Sequence, residues 1–98
     1  MQIPKSMKVG RLRYAIRTMP RMREPYRTGH IQYGTRLIRV TTETRQGRQR
    51  TPQAISQILW HEMTHAILED MGHRLVSNEL FVEAFSQRLS KAIDSAEF

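Results

Sequence analysis

The first half of the chain alternates apolar and polar residues with the period of two that is typical of β-strands. From Arg11 to Arg17 every second residue is apolar, which predicts a half-buried strand. Two further apolar stretches, joined by Gly34-Thr35 as a hairpin turn, predict a second and a third strand. The three predicted strands cover residues 11–17, 30–33 and 36–41. Residues 18–29, which contain two prolines, and the polar residues 42–51 predict irregular connections, the latter mobile.

A helix is predicted to follow the third strand. Thr51 can accept hydrogen bonds from the free amides at the start of a helix, and Pro52 is tolerated at the first helical position because its missing N–H would be unpaired there. The helix is predicted to run to about Met71. Gly72 is the kind of residue that ends helices, since it readily adopts a positive φ.

A second helix is predicted to begin near Ser77 or Asn78, either of which can cap it. Its apolar residues from Leu80 to Ile93 recur at helical spacing, so we expect them to contact the core. Residues 72–77, if extended, can run back about 20 Å and bring this helix antiparallel to the first. The 98 residues therefore predict one small α+β domain, with a three-stranded sheet packed on a central helix and a second helix beside it.

Composition and charge narrow the chemistry of this domain. The chain has no cysteine, so a metal must be held by His, Asp or Glu. It has no signal peptide and no membrane-spanning run, which predicts a cytosolic protein without a membrane partner. Residues 1–50 hold 13 Lys and Arg against 2 Asp and Glu, whereas residues 51–98 hold 3 against 7. The basic half suggests contact with nucleic acid or an acidic protein; the alternative is a solvated face.

The first predicted helix contains the pattern His61-Glu62-Met63-Thr64-His65. Residues four apart in a helix lie about 40° apart around the axis and about 6 Å along it, so the two imidazoles can bind one ion. Neutral imidazoles suit Zn²⁺, which in catalytic sites keeps an open position for a water. Glu62 is rotated by about 100° from His61 and can accept the proton of that water. The pattern therefore predicts a zinc peptidase with Glu62 as general base.

These polar residues can also be read as an ordinary solvated helix face. Their neighbours argue against it, because the segments 58–60 and 66–68 on either side are apolar, and a helix that is apolar all round is buried. Two histidines and a glutamate inside such a helix would be costly without partners, and a metal ion satisfies all three.

The third metal ligand has three candidates in the sequence. His73 is disfavoured, because Met71 lies about 9 Å along the axis beyond His65 and one glycine leaves little chain for a return. Glu79 and Glu83 share one face of the second helix, so one can bind zinc while the other accepts a hydrogen bond from a ligand histidine. Spacing alone leaves open which of the two does which.

The stretch from Gly29 to about Leu89 resembles the ImmA/IrrE family of zinc metallopeptidases, which are common in phages and mobile elements. The resemblance rests on the His-Glu-x-x-His helix and on the frame of residues 79–86 after it. It implies a minimal zincin-like domain of the gluzincin type over residues 1–98, a Zn²⁺ cofactor and a protein or peptide substrate. It also implies Glu79 as the third ligand, with Glu83 in the supporting position.

Two other functions remain open at this stage. The string His-Glu-Met-Thr-His-Ala also resembles SprT-like proteases, which act on proteins associated with DNA but take a third histidine well downstream, and no histidine follows His73. Alternatively, zinc stabilises a non-catalytic binding module.

Secondary roles at the site are also predicted. Candidates for stabilising the oxyanion are Tyr26, His30 and Tyr33, although each is more often a packing or surface residue. The third strand can bind an extended peptide by β-augmentation if it lies at the sheet edge.

Overall fold

The structure is a computed structural model that describes residues 2–23 and 27–98. Four strands precede two helices, which confirms the predicted α+β architecture. The elements are β1 Ser6–Val9, β2 Leu12–Met19, β3 Gly29–Gln32, β4 Leu37–Thr41, α1 Pro52–Asp70 and α2 Glu79–Asp94. The sheet has one strand more than predicted, because β1 has only four residues and two of them are apolar, too few for a clear alternation.

The strands are ordered β1-β2-β4-β3 across the sheet. β2 and β4 are parallel, while the two outer pairs are antiparallel. The third strand of the sequence prediction is β4, which lies between β2 and β3 and has no free edge. The expectation that it can receive a peptide is therefore wrong. The edges of the described sheet are β1 and β3.

α1 packs against one face of the sheet and forms the core with it. The inward residues of the strands alternate with outward ones, as a pleated sheet requires. The buried core residues are Val9, Tyr14, Ile16, Ile38, Val40, Ile58, Leu59, Met63 and Ala66. α1 begins as predicted, because the Thr51 hydroxyl accepts a hydrogen bond from the Ala54 amide at 3.1 Å and Pro52 follows at the first helical position.

α1 ends at a Schellman motif around Gly72, which has a φ of 61°. The His73 amide donates to the Leu68 carbonyl at 2.9 Å, and the Gly72 amide donates to the Glu69 carbonyl at 3.0 Å. Two further turns lead to Asn78, whose side chain caps α2 by accepting from the Phe81 amide at 3.0 Å. The connection is thus folded into turns rather than extended, and α2 starts beside the middle of α1.

α2 runs antiparallel to α1, as two contacts along its length show. Gln57, near the start of α1, is hydrogen-bonded to Ser86, whereas His65 contacts Glu79 in the first turn of α2. The residues that α2 buries are Val82, Ser86 and Ser90, one helical turn apart. The expectation that its large apolar residues face the core is wrong for Leu80, which is 87% exposed, and for Phe85, which is 46% exposed. Small side chains on the buried face let the helices approach closely.

The connection between β4 and α1 is irregular, as predicted. It folds back on itself through hydrogen bonds from the Thr44 amide to the Arg48 carbonyl at 2.7 Å and from the Arg50 amide to the Thr42 carbonyl at 2.8 Å. Among the described residues, the helices lack the length and apolar content needed to cross a membrane.

The packing of α2 yields a first prediction. Replacing Ser86 by Leu introduces a large side chain at a fully buried position that contacts α1, and we expect it to lower the free energy of unfolding by about 1–3 kcal/mol. Replacing the exposed Leu80 by Gln, a residue of similar helix propensity, should change it by less than about 0.5 kcal/mol. Urea denaturation followed by circular dichroism measures both. The reverse order of effects would contradict the orientation of α2.

Candidate metal centre

The candidate centre lies between the middle of α1 and the first two turns of α2. His61 and His65 occupy consecutive turns of α1, and their ring centroids are 5.1 Å apart. Glu79 and Glu83 occupy consecutive turns of α2 on the side that faces the two imidazoles. The four side chains meet because α2 starts beside this part of α1, so the site depends on the folded turns that precede α2.

Glu79 contacts both histidines through its two carboxylate oxygens. Its Oε2 lies 3.0 Å from Nε2 of His61, and its Oε1 lies 2.9 Å from Nε2 of His65. One ligand atom from each of the three residues lies within 4.8 Å of the other two. Two ligand atoms bound about 2.1 Å from a tetrahedral zinc ion are about 3.4 Å apart, so this spacing is close to that of a zinc site.

The second nitrogen of each imidazole is engaged in a hydrogen bond that sets its tautomer. Nδ1 of His65 lies 2.7 Å from the carbonyl oxygen of Val76, which can only accept, so this nitrogen donates. Nδ1 of His61 donates in the same way to Oε2 of Glu83 at 2.8 Å. In each imidazole Nε2 is therefore the nitrogen that faces Glu79, and it presents its lone pair there whenever the ring is neutral. Metal-binding histidines are usually oriented by such partners.

The donor set fits a divalent cation. With both imidazoles neutral, two nitrogen lone pairs and a carboxylate face one another at about hydrogen-bond distance, and none of these atoms can donate. A cation bound by all three resolves this mismatch, and two nitrogens with one oxygen are ligands that zinc accepts. Of the predicted ligands, His61, His65 and Glu79 are thus brought together, while Glu83 lies next to His61.

Glu62 is buried next to the histidines, with 7% of its surface exposed. It lines a cavity of about 380 Å³ together with His61, His65 and Glu79. Burial raises the pKa of Glu62, and the two neighbouring histidines partly oppose this rise. A carboxylate with a raised pKa is a better proton acceptor than an exposed one, which suits a general base.

Gly29, the first residue of β3, brings the sheet close to Glu62. A β-carbon at this position would lie 2.6 Å from Cγ2 of Ile58 and 3.1 Å from Oε2 of Glu62. A side chain here would displace one or both neighbours. The sequence does not reveal this contact, because nothing local connects a glycine in β3 to a glutamate in α1. The same is true of the Val76 carbonyl that orients His65.

Tyr33 is one of the three residues predicted to stabilise the oxyanion. Tyr33 lines a second cavity, of about 200 Å³, that also borders Glu62, His65 and Glu79. Burial and the nearby Glu69 raise the pKa of Tyr33 to about 12, so its phenol stays protonated and can donate.

The remaining residues that the sequence suggested for the site are His30, Tyr26 and His73. His30 borders the same second cavity, and its Nδ1 accepts a hydrogen bond from Arg39 at 3.1 Å. Tyr26 lies outside the described residues. His73 accepts a hydrogen bond from the Leu75 amide at 3.1 Å and is not part of the metal-binding group.

Comparison with sequence profiles of protein families, with characterised proteins and with solved structures gives no significant match. The functional argument therefore rests on the geometry of this centre and on the motif that forms it.

The geometry predicts unequal effects of the two glutamates on zinc affinity. Glu83→Gln keeps a hydrogen-bond acceptor beside His61 but loses its charge, and we expect it to weaken zinc binding by about 10–100-fold. Glu79→Ala removes a ligand and should weaken binding more than that. Titration of the metal-free protein against a chromogenic chelator measures both, with Glu69→Gln on the exposed part of α1 as the control. Zinc binding that survives Glu79→Ala but is lost in Glu83→Gln would reverse the assignment.

Proposed function

We propose that the protein is a zinc-dependent metallopeptidase of the ImmA/IrrE type that hydrolyses a peptide bond in a protein substrate. One observation carries the proposal: the Nε2 atoms of His61 and His65 converge with the Glu79 carboxylate, and the buried carboxylate of Glu62 lines the same cavity. His61, His65 and Glu79 would hold the metal, and Glu83 would orient His61. This combination of three ligands and an adjacent non-ligating carboxylate is that of a catalytic rather than a closed structural zinc site.

The proposed chemistry divides between the metal and the chain. When bound, zinc supplies Lewis acidity, which lowers the pKa of a coordinated water to about 7. Glu62 accepts a proton on its carboxylate as the water attacks the peptide carbonyl, and afterwards returns that proton to the leaving amine. Glu62 is buried in the cavity that the three proposed ligands line, so the same carboxylate lies where it can take up the proton and return it.

β3 supports binding of an extended substrate. It pairs with β4 on one side only, and the alternation of an antiparallel ladder directs the N–H and C=O groups of Gly29 and Ile31 away from β4. A peptide that pairs with this edge by β-augmentation would pass beside Glu62, because Gly29 lies against that residue. The centre is also accessible from outside, since the Glu79 side chain is 67% exposed.

Tyr33 is the proposed donor to the oxygen of the attacked carbonyl. As this oxygen gains negative charge, a donor aimed at it stabilises the transition state more than the ground state. The phenol borders the cavity next to Glu62 and remains protonated at all physiological pH values.

The central test is Glu62→Gln, which preserves shape and hydrogen bonding but removes the base. We expect the variant to bind zinc with an affinity close to that of the unaltered protein and to cleave peptides at least about 10²-fold more slowly. Cleavage of a mixed peptide library followed by mass spectrometry supplies the readout, with Glu97→Gln at an exposed position after α2 as the control for loss of one carboxylate. A zinc-loaded protein that cleaves no peptide in the library would favour a non-catalytic zinc module instead.

A further variant tests the role of Tyr33. Tyr33→Phe removes only the hydroxyl, and we expect kcat to fall about 10²-fold while zinc affinity and KM stay nearly unchanged. Steady-state kinetics on a peptide from the library measure the two constants separately. A change in KM alone would show that Tyr33 contacts substrate without stabilising the transition state.

A further inference from the structure

The sheet face that points away from α1 carries a cluster of cations. Met7 and Val9 of β1 and Tyr14 and Ile16 of β2 point toward α1, so the residues between them point the opposite way. The same alternation holds in β3 and β4, where Ile31 and Ile38 point inward. The lysine and arginine residues at outward positions, which we call the basic face, are Lys8, Arg13, Arg17 and Arg39.

Like charges lie directly opposite each other across this face. Lys8 pairs with Arg13 between β1 and β2, and Arg17 pairs with Arg39 between β2 and β4. Directly opposed like charges destabilise a sheet. The repulsion within two such pairs lowers the stability of the folded sheet. An anionic partner that neutralises the charges would remove this repulsion.

Within the part of the chain that the structure describes, none of these four cations forms an ion pair with a carboxylate. The carboxylates of Glu79 and Glu83 instead contact the imidazoles of the metal centre. Arg13 instead donates to the Ser6 hydroxyl at 3.0 Å, and Arg39 donates to Nδ1 of His30 at 3.1 Å. The next acidic residue along β4 is Glu43, two positions beyond the end of the strand. The positive charge of the face is therefore available to a partner.

We propose that the basic face binds the phosphate backbone of double-stranded DNA without reading its sequence. Arg13 and Arg17 are four residues apart on β2, which separates the two rows of cations by about 13 Å. That distance is comparable to the width of the DNA major groove, about 12 Å, so the rows can contact phosphates on both sides of a groove. Arginine and lysine are the residues that make most phosphate contacts.

The residues between the cations favour a duplex over other anionic partners. Single-stranded nucleic acids are bound on sheets by aromatic side chains that stack on the bases, and a membrane surface is bound by protruding apolar side chains. Among the described residues, no outward position of the sheet carries Phe, Tyr, Trp or an exposed large apolar residue, and the one outward imidazole, that of His30, is hydrogen-bonded to Arg39. The neighbours of the cations are small, polar or partly buried, as Ala15, Gln32 and Leu37 show. A surface that offers positive charge, but no side chains that stack on bases or insert into a membrane, is suited to the phosphates of a regular duplex.

Fluorescence anisotropy with a labelled 20-base-pair DNA duplex tests the proposal. We expect binding by the unaltered protein to weaken roughly 100-fold between 50 and 200 mM salt, as four neutralised phosphates would give. The triple variant Lys8→Gln, Arg13→Gln and Arg17→Gln should lose at least about tenfold in affinity at 50 mM salt. The slope of log K against log salt concentration should be smaller in magnitude by about 2.7 for this variant, because three cations are lost. Because this variant removes both like-charge pairs, its melting temperature should not fall, so lost binding cannot be attributed to unfolding.

The matched control is Arg74→Gln, Arg88→Gln and Lys91→Gln, which removes the same charge from exposed positions around α2. It should retain the salt dependence and most of the affinity. An equal loss in the control would show attraction by net charge alone and would overturn the proposal. So would tighter binding of a 20-nucleotide single strand, of polyglutamate or of vesicles containing phosphatidylserine, or the absence of duplex binding at 50 mM salt.

This proposal stands apart from the peptidase. The basic face and the metal centre lie on opposite sides of the sheet, so Glu62→Gln and removal of metal by a chelator should leave duplex affinity within about twofold. Loss of peptidase activity in Glu62→Gln with retained DNA binding is the expected combination. DNA binding that requires zinc would contradict the location of the surface.

Discussion

The carboxylate of Glu79 lies between two imidazoles, and this contact joins α2 to α1 at the candidate centre. Its oxygens are 3.0 Å and 2.9 Å from the Nε2 atoms of His61 and His65. The contact depends on how closely the helices approach, which the buried serines of α2 permit. Glu83 lies one turn farther along the same face, so any shift of α2 would move the carboxylate beside Nδ1 of His61 as well. Packing remote from the centre thus sets its geometry.

Burial of α1 makes its polar residues costly to leave unpaired and changes the pKa of Glu62. The helix lies between the sheet and α2, and Glu62 and His65 are each only 7% exposed. In a domain of 98 residues, with a modest core, polar groups at this depth are costly unless they are paired. Val76 and Glu83 satisfy the Nδ1 atoms, and a bound metal would satisfy the rest while linking the two helices. The same burial raises the pKa of Glu62 and so connects packing to the proposed chemistry.

The sheet separates two surfaces of different character. On one side, β3 brings Gly29 against Glu62 and borders the cleft of the proposed peptidase. On the other side, the outward residues of the four strands form the basic face. Because side chains alternate along a strand, one set of β-strands can support both surfaces without either altering the other. Part of the positive charge of the first half of the sequence therefore lies on one surface of the sheet.

The sequence alone determined what depends on neighbours a few residues apart. The cap at Thr51, the stop at Gly72 and the spacing of His61 and His65 are local signals, so α1 and its metal-binding pattern could be predicted within one residue of their observed bounds. β2 was also predicted from its clear alternation, and β3 and β4 from short apolar stretches on either side of a turn. β1 was not, since it presents only Met7 and Val9 as apolar residues.

Features that depend on contacts between distant segments of the chain became visible only in the tertiary structure. The position of β4 inside the sheet, the turns that return the chain to α1 and the burial of serines in place of Leu80 on α2 each follow from packing that no local pattern encodes. The two glutamates of α2 illustrate the limit. They are four residues apart and equivalent by helical spacing, and only the way α2 docks on α1 directs Glu79 to both Nε2 atoms and Glu83 to a single Nδ1.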